Sequence, residues 1–221
     1  MKPLLITIDG PAGAGKTTAS RLLADALGYR YIDTGALYRG IAVAVKSAGI
    51  EPDDDTALET LCSTLALQFK RNDAGVRLLL NQQDISDQIR TPEISMLASA
   101  VSARPVVRKC LLGLQREMGR EKNAVFEGRD MGTVVFPDAD VKFYLDASLK
   151  TRAIRRFREL KPEVSQSLEA VAAEMERRDK NDSTRQVAPL KPATDAVIID
   201  STDLTAEAVV QLMRSHIMKR Q

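Results

Sequence analysis

Five short apolar runs alternate along the sequence with stretches in which apolar residues recur at helical spacing. Runs of this length, rich in Val, Ile, Leu and Phe, are typical of buried strands. Their alternation with helices favours a parallel sheet covered by helices on both faces. The runs are residues 4–8, 29–32, 124–126, 141–145 and 196–199. We therefore predict an α/β fold with a five-stranded parallel sheet.

An acidic residue follows every one of these runs. The five residues are Asp9, Asp33, Glu127, Asp146 and Asp200. Ligands of open parallel sheets bind at the carboxyl ends of the strands, so these positions are candidates for a site. A carboxylate there could instead cap a loop or a helix, and position alone does not assign a role to each acid.

Residues 65–90 interrupt this alternation. The segments 65–70 and 76–81 flank RNDAG (71–75), whose Asn, Asp and Gly are turn residues, and 83–85 is a candidate third strand. We predict a β-hairpin here. A small unit over residues 60–100 is thus expected to be inserted in a core made of 1–59 and 101–221.

Helical patterns fill much of the remaining sequence. Residues 92–103 follow Thr91 as N-cap, with proline at the first helical position, and 105–119 form a second helix. Residues 150–185 are highly charged and predict two amphipathic helices joined around 161–166. Residues 205–219 predict a closing helix.

Composition excludes several kinds of chemistry. The chain has 221 residues and a formal net charge of +2, with ordinary hydrophobic content. Its single histidine, His216, rules out any site that needs two, and Cys62 and Cys110 are too far apart in sequence for a CxxC pair. No signal peptide or membrane span is evident. We expect a cytoplasmic protein with reduced cysteines and no indication of binding to nucleic acid or membrane.

The segment GPAGAGKT (residues 10–17) matches the phosphate-binding motif GxxxxGK[ST]. Its context is right, because a strand precedes it and the helical segment 18–27 follows. Glycines let the backbone turn its N–H groups toward phosphate oxygens, and the helix directs its positive end at them. The lysine reaches the β- and γ-phosphates, and the hydroxyl after it is placed to bind Mg²⁺. The predicted residues for binding a nucleotide cofactor through its phosphates are Gly10, Pro11, Ala12, Gly13, Ala14, Gly15, Lys16, Thr17 and Thr18, with Thr17 also a metal ligand.

This motif alone fits GTPases, ATPases, small-molecule kinases and nucleoside monophosphate kinases. No guanine-reading NKxD motif occurs, which argues against a GTPase. ATPases of the AAA or helicase type usually need a longer chain.

Three further segments resemble the bacterial cytidylate kinases. They are DTGALYR (33–39), EGRDMGTVVFP (127–137) and RDKNDSTRQVAPL (178–190), and the resemblance covers nearly the whole chain. It implies phosphorylation of CMP and dCMP by ATP with Mg²⁺. It also implies a P-loop nucleoside monophosphate kinase fold with a nucleotide-binding insert and a mobile lid, acting as a monomer.

The resemblance also implies which residues bind the acceptor. Asp130 would accept from the cytosine 4-amino group, and Arg129 would hold the α-phosphate. The full set is Thr34, Arg39, Ser99, Arg108, Arg129, Asp130, Arg178, Asp182 and Arg185. Lys16, Arg129 and Arg178 would be catalytic. Glu127 would hold Mg²⁺ through water, and Asp33 would either do the same or order the loop.

The lid segment contributes three more candidates. Arg152, Arg155 or Arg156 could reach the γ-phosphate or stack on adenine. The sequence departs from a common family pattern at 180–181 and 183–184, and Glu127 stands where some members carry aspartate. The departures at 180–181 and 183–184 leave sugar preference open, whereas Glu127 keeps a carboxylate and is expected to keep its role near Mg²⁺.

Two alternatives remain at this point. The acceptor could be another mononucleotide such as UMP, or a small alcohol. The chain could also be a nucleotide-binding regulatory module that does not turn over.

Overall fold

The structure, a computed structural model, describes residues 2–72, 75–160 and 166–219. Eight strands and eight α-helices are present in these ranges. The strands are β1 Leu5–Asp9, β2 Arg30–Asp33, β3 Leu67–Asn72, β4 Gly75–Leu80, β5 Gln83–Asp84, β6 Ala124–Glu127, β7 Val141–Asp146 and β8 Val197–Asp200. The helices are α1 Lys16–Leu27, α2 Thr34–Ala48, α3 Asp55–Thr64, α4 Pro92–Ser102, α5 Pro105–Gly119, α6 Leu149–Glu159, α7 Leu168–Thr184 and α8 Ala206–Met218.

Five of the strands form a parallel sheet in the order β2-β6-β1-β7-β8. The predicted parallel sheet is therefore confirmed, and each strand begins within one residue of its apolar run. The acid that was expected to follow each strand is instead the strand's last residue. All five residues of β1 are buried, because strands flank it on both sides.

The chain divides into two compact units, Met1–Asp33 with Gly119–Gln221 and Thr34–Met118. The first contains the parallel sheet, and its core includes Ile6, Leu23, Phe143 and Met213. In that unit α1 packs against α8 and β6.

The second unit contains β3, β4 and β5 as an antiparallel sheet together with four helices. Leu67 pairs with Leu80 in the predicted hairpin, whose turn residues 73–74 lie outside the described residues. The unit is larger than the predicted insert at 60–100, because α2 packs on α4, and α2, α4 and α5 contribute to one apolar core. The predicted nucleotide-binding role of 60–100 stays a prediction.

Hydroxyl and carboxylate side chains cap the N-termini of several helices. Thr91 accepts from the Ile94 N–H at the start of α4, as predicted, and Thr205 accepts from the Ala208 N–H at the start of α8. Ser148 and Ser167 cap α6 and α7 in the same way. Each cap satisfies an N–H group that the helix itself leaves without a partner.

The two amphipathic helices predicted within residues 150–185 are present as α6 and α7. They pack through a small apolar cluster that contains Ala153, Val171 and Met175. Residues 161–165 of the predicted linker lie outside the described ranges. Among the helices of residues 2–72, 75–160 and 166–219, none is both long and apolar enough to span a membrane.

Candidate active site

The loop between β1 and α1 has the backbone shape that its glycines require. Gly10 has a φ of 145°, and a Cβ added there would lie 2.0 Å from the Leu145 carbonyl oxygen. Gly13 has a φ of 74°, and its added Cβ would lie 2.8 Å from Cε of Met175. A side chain at either position would clash and would strain the backbone. Glycine is therefore strongly favoured at these two positions of the loop.

Lys16 begins α1 and is only 4% exposed. Its Nζ donates a hydrogen bond to the Pro11 carbonyl oxygen at 2.6 Å. Burial, together with the positive charge of Arg129, lowers the pKa of Lys16 to about 7. An anion bound in the loop would stabilise the ammonium form, so the site is matched to a phosphate group.

Three oxygen-bearing side chains meet beside the loop. Oγ1 of Thr17 donates to Oε1 of Glu127 at 2.8 Å, and the Tyr31 hydroxyl donates to Oε2 of the same carboxylate at 2.6 Å. Asp33 is the register partner of Glu127 on the neighbouring strand. Burial raises the pKa of Tyr31 well above its usual range, and the Asp33 and Glu127 charges add to this. Tyr31 therefore stays a hydrogen-bond donor to Glu127.

These oxygens fit Mg²⁺, which binds through a few protein oxygens and keeps water and phosphate ligands. No group of three or more His, Cys, Asp or Glu side chains suited to a metal occurs among the described residues. The hydroxyl of Thr17 and the carboxylates of Asp33 and Glu127 would suit a metal ion that also binds a phosphate ligand.

The segment after β6 is held in place by Asp9. The Met131 and Gly132 N–H groups donate to the two carboxylate oxygens of Asp9 at 2.9 and 2.8 Å. They open a single π-helical turn, Met131–Val135, a form that is rare and often found at functional sites. Burial raises the pKa of Asp9 to about 6, although the two N–H groups oppose this. Asp9 therefore fixes the position of the preceding Arg129 and Asp130.

Two arginines and two carboxylates form a buried cluster next to this turn. Nε of Arg129 lies 3.2 Å from Oδ2 of Asp182, while Arg185 lies 3.7 Å from Asp130 and 3.8 Å from Asp182. Asp130 is 2% exposed. The charge of Arg178 on α7 contributes to lowering the Lys16 pKa, so it acts on the same site. The structure thus brings together the predicted acceptor residues of the first unit.

The other predicted acceptor residues belong to the second unit. Thr34 and Arg39 lie on α2, Ser99 on α4 and Arg108 on α5. Thr34 is buried, and Arg108 donates to the Ser102 carbonyl oxygen at 3.1 Å while its guanidinium lies over the Tyr38 ring. Their roles in binding stay predictions.

The three candidate arginines of α6 make different contacts from one another. Arg152 donates to the Ala147 and Ala12 carbonyl oxygens at 2.8 and 3.2 Å and pairs with Asp179 at 2.5 Å. Arg155 binds Ser201, and Arg156 pairs with Glu159 on the same helix. Two of the three therefore hold protein groups at or near the phosphate loop.

Asp9, Tyr31 and Ser201 are residues of this site whose contacts the sequence did not predict. Asp9 carried only the signal of an acid at a strand end, and Ser201 carried none. Their partners lie far away in sequence, so no local spacing reveals them.

Known proteins place these features in a family. A sequence model of the cytidylate kinase family matches residues 6–219. The chain is 53% identical to a cytidylate kinase of Geobacter sulfurreducens, covering 99% of this chain and 94% of that one. It is 46% identical to a cytidylate kinase of Pasteurella multocida, covering 98% and 96%.

Solved structures share the fold at low identity. A shikimate kinase from Acinetobacter baumannii, in complex with shikimate, matches with a TM-score of 0.52 at 15% identity, covering 100% of this chain and 96% of that one. A gluconokinase from Sinorhizobium meliloti matches with a TM-score of 0.51 at 15% identity, covering 98% and 93%. Both comparisons bear on the fold alone, whereas the family model and the full-length relatives show that the chain belongs to the cytidylate kinase family.

Proposed function

We propose that this protein transfers the γ-phosphoryl group of ATP to CMP or dCMP, giving ADP and CDP or dCDP. The observation that carries the proposal is one cluster in the first unit. In it the charge of Arg129 acts on the phosphate-loop lysine Lys16, and Asp9, at the end of the strand before the loop, accepts from the N–H groups of Met131 and Gly132 directly after Arg129 and Asp130. The phosphate-binding loop supports the assignment of ATP as the donor, and the GRDMGT segment supports the assignment of CMP or dCMP as the acceptor.

The reaction is direct transfer between two phosphate groups. The acceptor oxygen is already anionic at neutral pH, so the site needs no strong general base. Catalysis then rests on positioning and on neutralising charge. The buried ammonium of Lys16 and the guanidinium groups of Arg129 and Arg178 supply that positive charge, and the loop N–H groups orient the donor phosphates.

Mg²⁺ would be held by the Thr17 hydroxyl and, through water, by Asp33 and Glu127. When bound, it neutralises charge on the phosphates of ATP. Tyr31 keeps the Glu127 carboxylate turned toward Thr17.

Recognition of cytosine is assigned to Asp130, whose buried carboxylate can accept a hydrogen bond from the 4-amino group. Uracil carries an acceptor at that position and would face the carboxylate unfavourably. Ser99 and Arg108 of the second unit would bind the remaining polar edge of the base. Asp182 would accept from the ribose hydroxyls, and the predicted contacts to ribose and phosphate are made by Thr34, Arg39, Arg178 and Arg185.

The cellular setting follows from this activity. A CMP and dCMP kinase acts in pyrimidine nucleotide metabolism, in the cytoplasm, as a monomer, with small-molecule substrates and no nucleic acid or membrane partner. The two cysteines support this setting, because both are free thiols.

An acceptor panel tests the proposal. ADP formation from MgATP is measured with CMP, dCMP, UMP and AMP, and we expect the largest kcat/KM for CMP or dCMP. Lys16→Ala is the control and should abolish ADP formation. A larger kcat/KM for UMP would assign a different acceptor. ATP binding without ADP formation on any mononucleotide would identify a regulatory module instead.

A further inference from the structure

Side chains from the far end of the chain hold the phosphate loop by its carbonyl groups. Oγ of Ser201 donates a hydrogen bond to the Ala14 carbonyl oxygen at 3.0 Å. Nη1 of Arg152 donates to the Ala12 carbonyl oxygen at 3.2 Å. Two alternate carbonyl groups of the loop are therefore fixed by residues outside the motif.

Ser201 is itself fixed on every polar atom. It follows β8 and is 2% exposed. Its hydroxyl accepts from Nη1 of Arg155 at 3.0 Å, its carbonyl oxygen accepts from Nη2 of Arg155 at 2.6 Å, and its N–H donates to the Asp146 carbonyl oxygen at 2.8 Å. Because the hydroxyl accepts from the guanidinium, its one hydrogen is available for Ala14.

Fixing a carbonyl group also fixes the N–H group of the next residue. No cis peptide bond occurs in the described residues, so the Ala14 C=O and the Gly15 N–H point in opposite directions from one planar unit. Holding the Ala14 oxygen on Ser201 turns the Gly15 N–H away from Ser201. Glycine would otherwise let this peptide rotate, because it tolerates both signs of φ. The contact therefore selects one orientation of a phosphate-binding N–H group.

We propose that Ser201, held by Arg155, is a positioning residue that orients the Gly15 N–H toward the donor phosphates. This inference rests on the proposed function, in which the loop binds ATP. Ser201 acts through the backbone of the loop and touches no nucleotide atom. Arg155 acts through Ser201.

The first test compares hydroxyl deletions at two adjacent positions. Ser201→Ala removes the contact to Ala14. Thr202→Ala is the matched control, because the Thr202 hydroxyl binds only Asp200 and the Ser148 N–H in the contacts described. Affinities for ADP and CMP are measured by calorimetry, and KM and kcat for both substrates by a coupled assay.

We expect Ser201→Ala to weaken ADP binding about five- to tenfold, the cost of one buried hydrogen bond. The KM for ATP should rise by a similar factor, and CMP affinity should stay within about twofold. Thr202→Ala should leave the affinities for ADP and CMP within about twofold of the wild type. Unchanged ADP affinity in Ser201→Ala, or an equal loss for ADP and CMP, would overturn the proposal.

Ser201→Cys provides a second variant of nearly the same size, so it tests the contact even if the alanine variant does not fold. A thiol is a weaker donor than a hydroxyl. ADP affinity should be lower than in the wild type, with CMP affinity retained; wild-type ADP affinity would count against the contact.

A double-mutant cycle separates this route from direct contact between Arg155 and nucleotide. As a single variant, Arg155→Met should weaken ADP binding. In the Ser201→Ala background the same change should weaken ADP binding by less than about a further twofold, since both residues act through one contact. Fully additive losses would overturn the route through Ser201. A wild-type protein that binds ADP but does not phosphorylate CMP would refute the proposed function, and the ADP comparisons would still test the positioning role.

Discussion

The Tyr31 hydroxyl donates to Oε2 of Glu127 at 2.6 Å, while Oε1 of that carboxylate accepts from Thr17 at 2.8 Å. Tyr31 is in turn covered by the Arg21 guanidinium, which lies 5.2 Å from the centre of its ring. One phenol thus fixes the carboxylate that we assign to the Mg²⁺ site. Groups of this kind orient metal ligands without touching the metal.

Tyr31→Phe should weaken the response to Mg²⁺, because Glu127 loses the donor that orients it. We expect the half-saturating Mg²⁺ concentration to rise about tenfold, measured from initial rates at fixed ATP. Tyr29→Phe is the control, since that hydroxyl donates to the Lys2 carbonyl oxygen at 3.3 Å on the surface. An unchanged Mg²⁺ dependence in Tyr31→Phe would show that Glu127 needs no such support.

Lys16→Met should raise the stability of the ligand-free protein near pH 7 while abolishing phosphoryl transfer. The folded pKa of Lys16 is about 7, below its usual value of 10.5. Between these values the unfolded chain keeps a proton that the folded chain has lost, so wild-type stability rises with pH. The cost of burying the charge is fully present below pH 7.

The advantage of Lys16→Met should therefore shrink as the pH rises from 7 to 10. Urea denaturation of both proteins at several pH values measures this difference. A difference in free energy of unfolding that stayed constant with pH would mean that the lysine pKa is not lowered.

Gly13→Ala should destabilise the protein and impair ATP binding. The new methyl group would lie 3.0 Å from Cβ of Arg152 and from the Arg152 carbonyl oxygen, at a residue whose φ is positive. We expect a loss of about 2–4 kcal/mol from strain and overpacking together. Thermal or urea unfolding measures it.

Gly28→Ala is the matched control for that loss. Gly28 also has a positive φ, of 66°, but an added Cβ would meet nothing within 4 Å. It should cost only about 1–2 kcal/mol, from backbone strain. Equal losses at the two glycines would show that the packing of α6 and α7 on the loop contributes nothing.

Asp130→Asn should reduce discrimination between CMP and UMP more than it affects ATP. An amide can both donate and accept, so it no longer rejects the uracil carbonyl. We expect the ratio of kcat/KM for CMP to that for UMP to fall at least about tenfold, with the KM for ATP nearly unchanged. The exposed Asp138→Asn is a control. Retained selectivity would remove Asp130 from base recognition.

Cys62 should react slowly with iodoacetamide in the folded protein. Burial, together with the neighbouring Cys110, raises the pKa of its thiol to about 12. The thiolate is the reactive form, so little is present at pH 8. Mass spectrometry of the Cys110→Ser variant isolates Cys62, and urea should accelerate its labelling. Rapid labelling without urea would contradict the raised pKa.

Local patterns in the sequence predicted the features that depend on neighbouring residues. The five core strands are short apolar runs, and the phosphate loop is one continuous segment, so both could be located to within a few residues. The helix cap Thr91 was predicted from the same kind of local chemistry.

Features that join distant segments could not be predicted in this way. Asp9 accepts from Met131 and Gly132, and Ser201 donates to Ala14, so each contact depends on the finished sheet. The π-helical turn had no sequence signal either, because the N–H groups of its first two residues donate to Asp9, which is distant in sequence. The second unit is larger than the predicted insert for the same reason, since α2 joins it through side-chain packing.

The central position of β1 also affects the order in which the protein can fold during translation. Leu5 pairs with Ala124, and Ile6 pairs with Val141, so both neighbours of β1 are synthesised long after it. At ~5–20 residues per second, a ribosome needs on the order of ten seconds to supply them. During that interval β1 has none of its sheet partners, and its exposed backbone could pair with other nascent chains. The strand that carries the phosphate loop is thus among the first made, yet its sheet neighbours arrive only after more than half of the chain has been synthesised.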